Sequence, residues 1–173
     1  GLTKEECLKK HNEVLISSAD FLEQASCLII TFGSAWVYEH IETGNLVANC
    51  HKVPNTQFRK RLLSIDEIEK KFKQLIKNFE RSTSSVQFIF TISPIRHWKD
   101  GVIENQRSKS LLHLAIQSLV EQYDNLNYFP AYEIMLDDLR DYRFYKENML
   151  HPNQQAVNYI WEKFKNSSID ESS

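Results

Sequence analysis

Glycine is scarce in this chain, four residues in 173, and none of the four falls in a phosphate-cradling run. P-loop and dinucleotide-binding turns need closely spaced glycines, so nucleotide binding is disfavoured. Cysteine is scarce as well. Cys7, Cys27 and Cys50 are odd in number and irregularly spaced, which argues against a disulfide framework and points to a reducing cytoplasm. Cys27 opens an apolar run and reads as a small buried hydrophobe. No apolar run approaches the ~20 residues that span a bilayer, and the N-terminus lacks the charged and apolar regions of a signal peptide. A net charge of −2 gives no electrostatic reason to expect nucleic acid or an anionic membrane as partner.

What remains is ordinary for a globular protein: 42% hydrophobic and 25% charged residues. The length suits one domain with a substantial core, placed at residues 2–166 and followed by a polar tail at 167–173. Gly1 is set aside as a residue left by a cleaved tag. Thr3 and Glu6 have capping-box spacing, so a helix is expected from about residue 4 to 24. Cys27 to Phe32 is a continuous apolar run stopped by Gly33, the pattern of a strand buried on both faces. Trp36 to Ile41 and Leu46 to Ala48 flank Glu42-Thr43-Gly44-Asn45 and predict a hairpin at the sheet end.

Ser64 and Glu67 form a second capping box before the stripe Ile65, Ile68, Phe72, Leu75, Ile76 and Phe79. A second buried strand is expected over 86–92, a helix over about 104–123, a third strand over 126–129 and a short helix near Tyr132 to Leu136. The last helix is expected from about Pro152, which suits a first helical position. The basic clusters Arg59-Lys60-Arg61 and Lys70-Lys71 read as solvated helix faces. Alternating helices and strands imply an α/β fold with a parallel sheet covered on both faces. Ligands then bind outside the carboxyl ends of the strands. Those ends are Gly33-Ser34-Ala35-Trp36, Ser93-Pro94-Ile95-Arg96-His97 and Pro130-Ala131-Tyr132.

Asn148-Met149-Leu150-His151-Pro152 holds the histidine of greatest interest. Histidine is the side chain whose ordinary pKa lies nearest working pH, so His151 suits a general base; equally, it suits a loop histidine that bonds nearby backbone. Asn148 is placed to orient the imidazole through its side-chain carbonyl, with Glu147 or Asp141 as alternatives. An asparagine stabilises an imidazolium less well than a carboxylate does. Ser34, just after a strand-ending glycine, is a candidate nucleophile whose turn would expose backbone N–H groups as an oxyanion hole. The competing reading is that it satisfies turn hydrogen bonds. Ser93 is a weaker candidate. Arg96 would bind a carboxylate or phosphate bidentately or tie loops together, and His97 lies beside it. Cys50, His51, His97 and His151 lack zinc-ligand spacing, so no metal or other cofactor is expected.

The segments Leu28–Glu39, Val47–Lys52, Ser93–Gly101 with Asn105-Gln106, Tyr128–Ile134, and Asp138–Tyr145 to His151-Pro152 resemble the GSCFA family. That family is a branch of the SGNH-hydrolase superfamily common in Bacteroidetes. The resemblance covers nearly the whole chain. It implies a flavodoxin-like three-layer α/β sandwich with a mainly parallel sheet, and esterase or acyl-hydrolase chemistry on small esters or acylated sugars. Three departures matter. The Gly-Ser-Cys-Phe-Ala signature with the family's nucleophilic serine is missing, Gly33-Ser34-Ala35-Trp36 stands where related hydrolases have Gly-x-Asn-Asp, and Asn148 replaces the aspartate of Asp-x-x-His.

The chain is therefore read as the C-terminal part of such a domain, with an incomplete sheet. Its 27–32 strand would have an open apolar edge, covered locally or paired with another copy in a homo-oligomer. Three functions compete: a hydrolase with His151 as base for a serine outside the chain, a non-catalytic binding or assembly module, and a self-contained esterase using Ser34.

Overall fold

The computed structural model describes residues 3–169 except 48, 51 and 83–85. A parallel sheet contains β1 (Cys27–Phe32), β5 (Gln87–Ile92) and β6 (Leu126–Phe129), in the order β1-β5-β6. Cys27 faces Gln87 and Phe32 faces Ile92 in one register; Phe88 faces Leu126 in the other. A second, antiparallel sheet holds β2 (Trp36–His40) between β3 (Leu46–Val47) and β4 (Phe58–Leu62). The helices are α1 (Lys4–Glu23), α2 (Ile65–Ser82), α3 (Gly101–Val120), α4 (Ala131–Leu136) and α5 (Gln154–Ser168). The expected α/β class is what the chain adopts.

The parallel sheet has one well-covered face. Leu28, Ile30 and Phe32 of β1 and Phe88, Phe90 and Ile92 of β5 point to α2 and α3, which contribute Ile68, Phe72, Ile76, Leu112, Ala115 and Ile116 to a single core. Phe32, Phe72 and Phe90 form a triangle with centroids 4.8 to 5.4 Å apart. Such tilted and edge-on pairs contribute about 0.5–1.5 kcal/mol each beyond their burial. Both capping boxes form: Glu6 and Thr3 exchange bonds at the start of α1, and Ser64 and Glu67 do so before α2.

The opposite face is only partly covered. Phe164 and Ile160 of α5 pack on Phe129 and Ile89, while β1 presents Cys27, Ile29 and Thr31 outward, with Ile29 56% exposed. Thus β1 is an edge strand buried on one face, not on two as the continuous apolar run suggested. Beside it lies an open apolar groove of about 310 Å³ between Ile29, Phe129, Trp161 and Phe164. α1 takes no part in the core, and every residue from Lys4 to Glu23 is exposed.

Three further expectations are corrected. Arg59-Lys60-Arg61 is not a helix face but lies on β4, where alternation puts Arg59 and Arg61 on Glu39 at 2.6 Å each, and Arg61 also on Glu67 at 2.7 Å. The fused clamp holds the Glu67 carboxyl down at about 2, chiefly through the Arg61 hydrogen bond. Pro152 does not open the last helix. It forms a bridge with Tyr145, and Asn153 caps α5 by accepting the Ala156 N–H at 3.0 Å. Helix α5 also extends through Ser168, into the segment read as tail.

Candidate functional site

Parallel pairing brings the carboxyl ends of β1 and β5 together, and a lysine fastens them. Lys109, on the inward side of α3, is 0% exposed; its Nζ donates to the carbonyls of Gly33 at 2.8 Å and Ser93 at 2.6 Å. The third direction meets the Tyr132 ring, whose centroid is 5.6 Å away. Burial pulls the Lys109 ammonium down to about 8, so it is still charged at neutral pH. Two strand-end carbonyls and an aromatic face are the groups that make such a buried cation tolerable.

One helical residue earlier, Ser108 fixes the turn after β1. Its Oγ accepts the Ala35 N–H at 2.7 Å and lies 3.1 Å from the Ser34 Oγ, which itself accepts the Trp36 N–H at 3.1 Å. The Ser34 hydroxyl is therefore engaged within its own turn, and the N–H groups of Ala35 and Trp36 are occupied. Among the described residues no histidine hydrogen-bonds Ser34. Ser93 is similarly employed, accepting the Ile95 N–H at 3.3 Å.

His97 closes over Gly33. A Cβ at Gly33 would lie 3.5 Å from His97 Nε2, an ordinary contact distance, so the ring rests directly against this turn. The His97 N–H donates to Asn105 at 2.9 Å. Loss of solvent around the ring, followed by the charge of Lys109, lowers the His97 pKa; its bond to the Gly33 backbone and the charge of Asp100 oppose this. His151 also acts on His97 electrostatically, so the two imidazoles belong to one neighbourhood.

The His151 loop is built by short-range bonds. Lys146 N–H donates to the His151 carbonyl and Met149 N–H to that of Lys146, each at 2.8 Å, with Met149 left-handed at φ 59°. Arg96 N–H donates to the Leu150 carbonyl at 3.2 Å, which ties this loop to the end of β5. Asn148 and His151 meet at 2.9 Å, with the polarity opposite to that expected. Asn148 Oδ1 already accepts the N–H groups of Leu150 at 3.0 Å and His151 at 3.1 Å. The side of the amide facing His151 Nδ1 is consequently its NH2. A donor against Nδ1 leaves the neutral ring's proton on Nε2. Neither Asp141 nor Glu147 bonds the imidazole among the described residues. Asp141 caps its own turn through Arg143 N–H at 2.9 Å.

Arg96 lies half-buried with its guanidinium 4.6 Å over the Tyr145 ring. So Gly33, His97, Arg96 and His151 converge at the carboxyl ends of β1 and β5, whereas Ser34 turns into its own loop. His51 lies outside the described residues, and among those described no group of three His, Cys, Asp or Glu could hold a metal ion. Lys109, Ser108 and Tyr145 escape the sequence reading. Lys109 had a legible signal: it keeps helical spacing with Leu112, Ile116 and Leu119 and so falls on the buried stripe of α3.

A polar cluster thus lies at the carboxyl ends of the parallel strands of an α/β domain, the place where open sheets of this class bind ligands, with a loop histidine just before the last helix. The model of the GSCFA family matches residues 2–164, and the chain belongs to that family. No curated protein and no solved structure matches it. No helix among the described residues is long and apolar enough to cross a membrane.

Proposed function

We propose that the chain is a domain of the SGNH-hydrolase type that binds small esters or acylated sugars. His151 occupies the position of the general base but is held in the tautomer that donates from Nε2. The observation that carries this reading is the engagement of Asn148 Oδ1 by two backbone N–H groups, which turns the amide NH2 toward His151 Nδ1. A base must present a lone pair where this ring presents a proton. With Ser34 also committed to Trp36 and Ser108, the chain binds its ligand without turning it over efficiently.

A second reading, that His151 serves a serine outside these 173 residues, is favoured by its place beside the end of β5 and by the near-full-length family match. A serine-directed fluorophosphonate with intact-mass readout separates the two. No labelling of this chain, and none of an N-terminally extended version, is the expected result. Labelling of the extended version, abolished together with ester turnover by His151→Ala, establishes the second reading. Stoichiometric labelling at Ser34 overturns both.

A further inference from the structure

Beside the His151 loop lies a cavity of about 200 Å³ whose lining includes Arg96, Leu139, Arg140, Asp141, Tyr142 and Tyr145. Its charge is lopsided. Among the described residues no carboxylate pairs with the Arg96 guanidinium, although the residue is half-buried. The Tyr145 ring, 4.6 Å from the guanidinium carbon, supplies no anion, and among the described residues the Arg96 side-chain N–H groups make no hydrogen bond, which leaves them for another partner. Arg140 adds a second cation, with its Nε–H donating to the Asp137 carbonyl at 3.1 Å, a bond that neutralises nothing. The carboxylate of Asp141 is turned away, to the Arg143 N–H at 2.9 Å and the Arg143 side chain at 3.7 Å. An unpaired, partly desolvated guanidinium is costly unless something supplies the missing anion.

We propose that this cavity binds a carboxylate carried by the ligand, held edge-on by Arg96 and attracted by Arg140, so that the preferred esters are half-esters with a free acid. The inference rests on the ester-binding reading above for the rest of the ligand. The Arg96 N–H bond to the Leu150 carbonyl joins the loop that lines the cavity to the residue before His151, so an acid held by Arg96 and an ester near His151 belong to neighbouring segments of one ligand. Carboxylate suits the arrangement better than phosphate. The cavity is small and Leu136 and Leu139 line it, which disfavours the more highly charged and more strongly hydrated phosphate.

The test is a titration of the 15N-labelled full chain with monomethyl succinate, dimethyl succinate and inorganic phosphate at low salt. Monomethyl succinate should give saturable shifts at the Arg96 and Tyr145 amides, and dimethyl succinate none. Arg96→Gln should weaken the monoester by about tenfold or more, the usual scale for a charge-assisted hydrogen bond. Arg96→Lys should recover only part of that loss. Should Arg96→Gln fail to fold, Arg140→Gln carries the test, with a smaller loss expected and increased sensitivity to salt. Equal binding of monoester and diester, or no effect of either variant, overturns the proposal, as does tighter binding of phosphate than of the monoester. Shifts at Arg96 without any at the His151 ring would leave the anion site standing and sink the ester-site reading instead.

Discussion

The ammonium of Lys109 reaches across the sheet end to the Gly33 carbonyl, 2.8 Å away and 76 residues earlier in the chain. With its bond to Ser93, this contact sets the spacing between the turn after β1, which holds Gly33 and Ser34, and the loop after β5, which carries both Arg96 and His97. Lys109→Met removes the charge and strands two carbonyls, at a cost of about 1–3 kcal/mol for each group left unsatisfied. The sign of the pH effect follows from the lowered pKa. Between about 8 and 10.5 the unfolded chain holds the lysine's proton more tightly than the folded one. Stability from this group therefore rises with pH across that window. Urea titrations at pH 7.5 and 9.5 should show the gain in the parent chain and not in Lys109→Met.

Asn148→Asp replaces the NH2 facing His151 with an acceptor while keeping an oxygen for the Leu150 and His151 N–H groups. The neutral imidazole should then move its proton to Nδ1. Long-range 1H–15N correlation spectra of the ring distinguish the tautomers directly: Nε2–H in the parent, Nδ1–H in the variant. An Nδ1–H parent would remove the basis for the proposed loss of turnover.

His97, whose ring is only partly buried, should add a modest acid sensitivity to the fold. Its pKa lies below the ordinary 6.5, mainly because burial disfavours the charged ring. Below that ordinary value the unfolded chain takes up a proton that the folded chain resists, so stability falls as pH drops through 6.5. His113, also lowered by burial, acts in the same direction. His97→Asn should flatten part of the decline in Tm between pH 7 and 5, and His97→Asn with His113→Asn should flatten more of it.

The outer edge of β1 carries no strand among the described residues, and Ile29 stands exposed beside it. We propose that this edge associates with a second copy at high concentration. Sedimentation velocity should show a concentration-dependent shift toward dimer, lost in Ile29→Lys, since a charge on an open edge is a standard block to pairing. A monomer at all concentrations would refute it.

The sequence announced this architecture where periodicity and capping agree. Both capping boxes, the α2 stripe and the apolar runs of β1 and β5 are local signals, and they place three parallel strands and the main helices within a few residues. Two features depended on tertiary partners instead. The β4 basic run resembles a helix face because alternate arginines on a strand and neighbouring cations on a helix look alike until Glu39 and Glu67 are in place. Pro152 suits a helix start, but Tyr145 claims it for a bridge. At the site, His151, Asn148, Arg96 and His97 were readable as residue types. The direction of the Asn148 amide was not, because two backbone N–H groups decide it.

Helix α1 invites a different kind of experiment. None of its 20 residues is buried, so its stability leans on local terms such as the Thr3–Glu6 box at its start and its own backbone bonds. A helix of that length is marginal in water on its own. It should therefore melt gradually, far below the cooperative transition of the sheet, and its amides should exchange with solvent orders of magnitude sooner than those of β5. Circular dichroism would then lose helix signal over a broad range while near-ultraviolet aromatic bands stay fixed. One chain would report two temperatures.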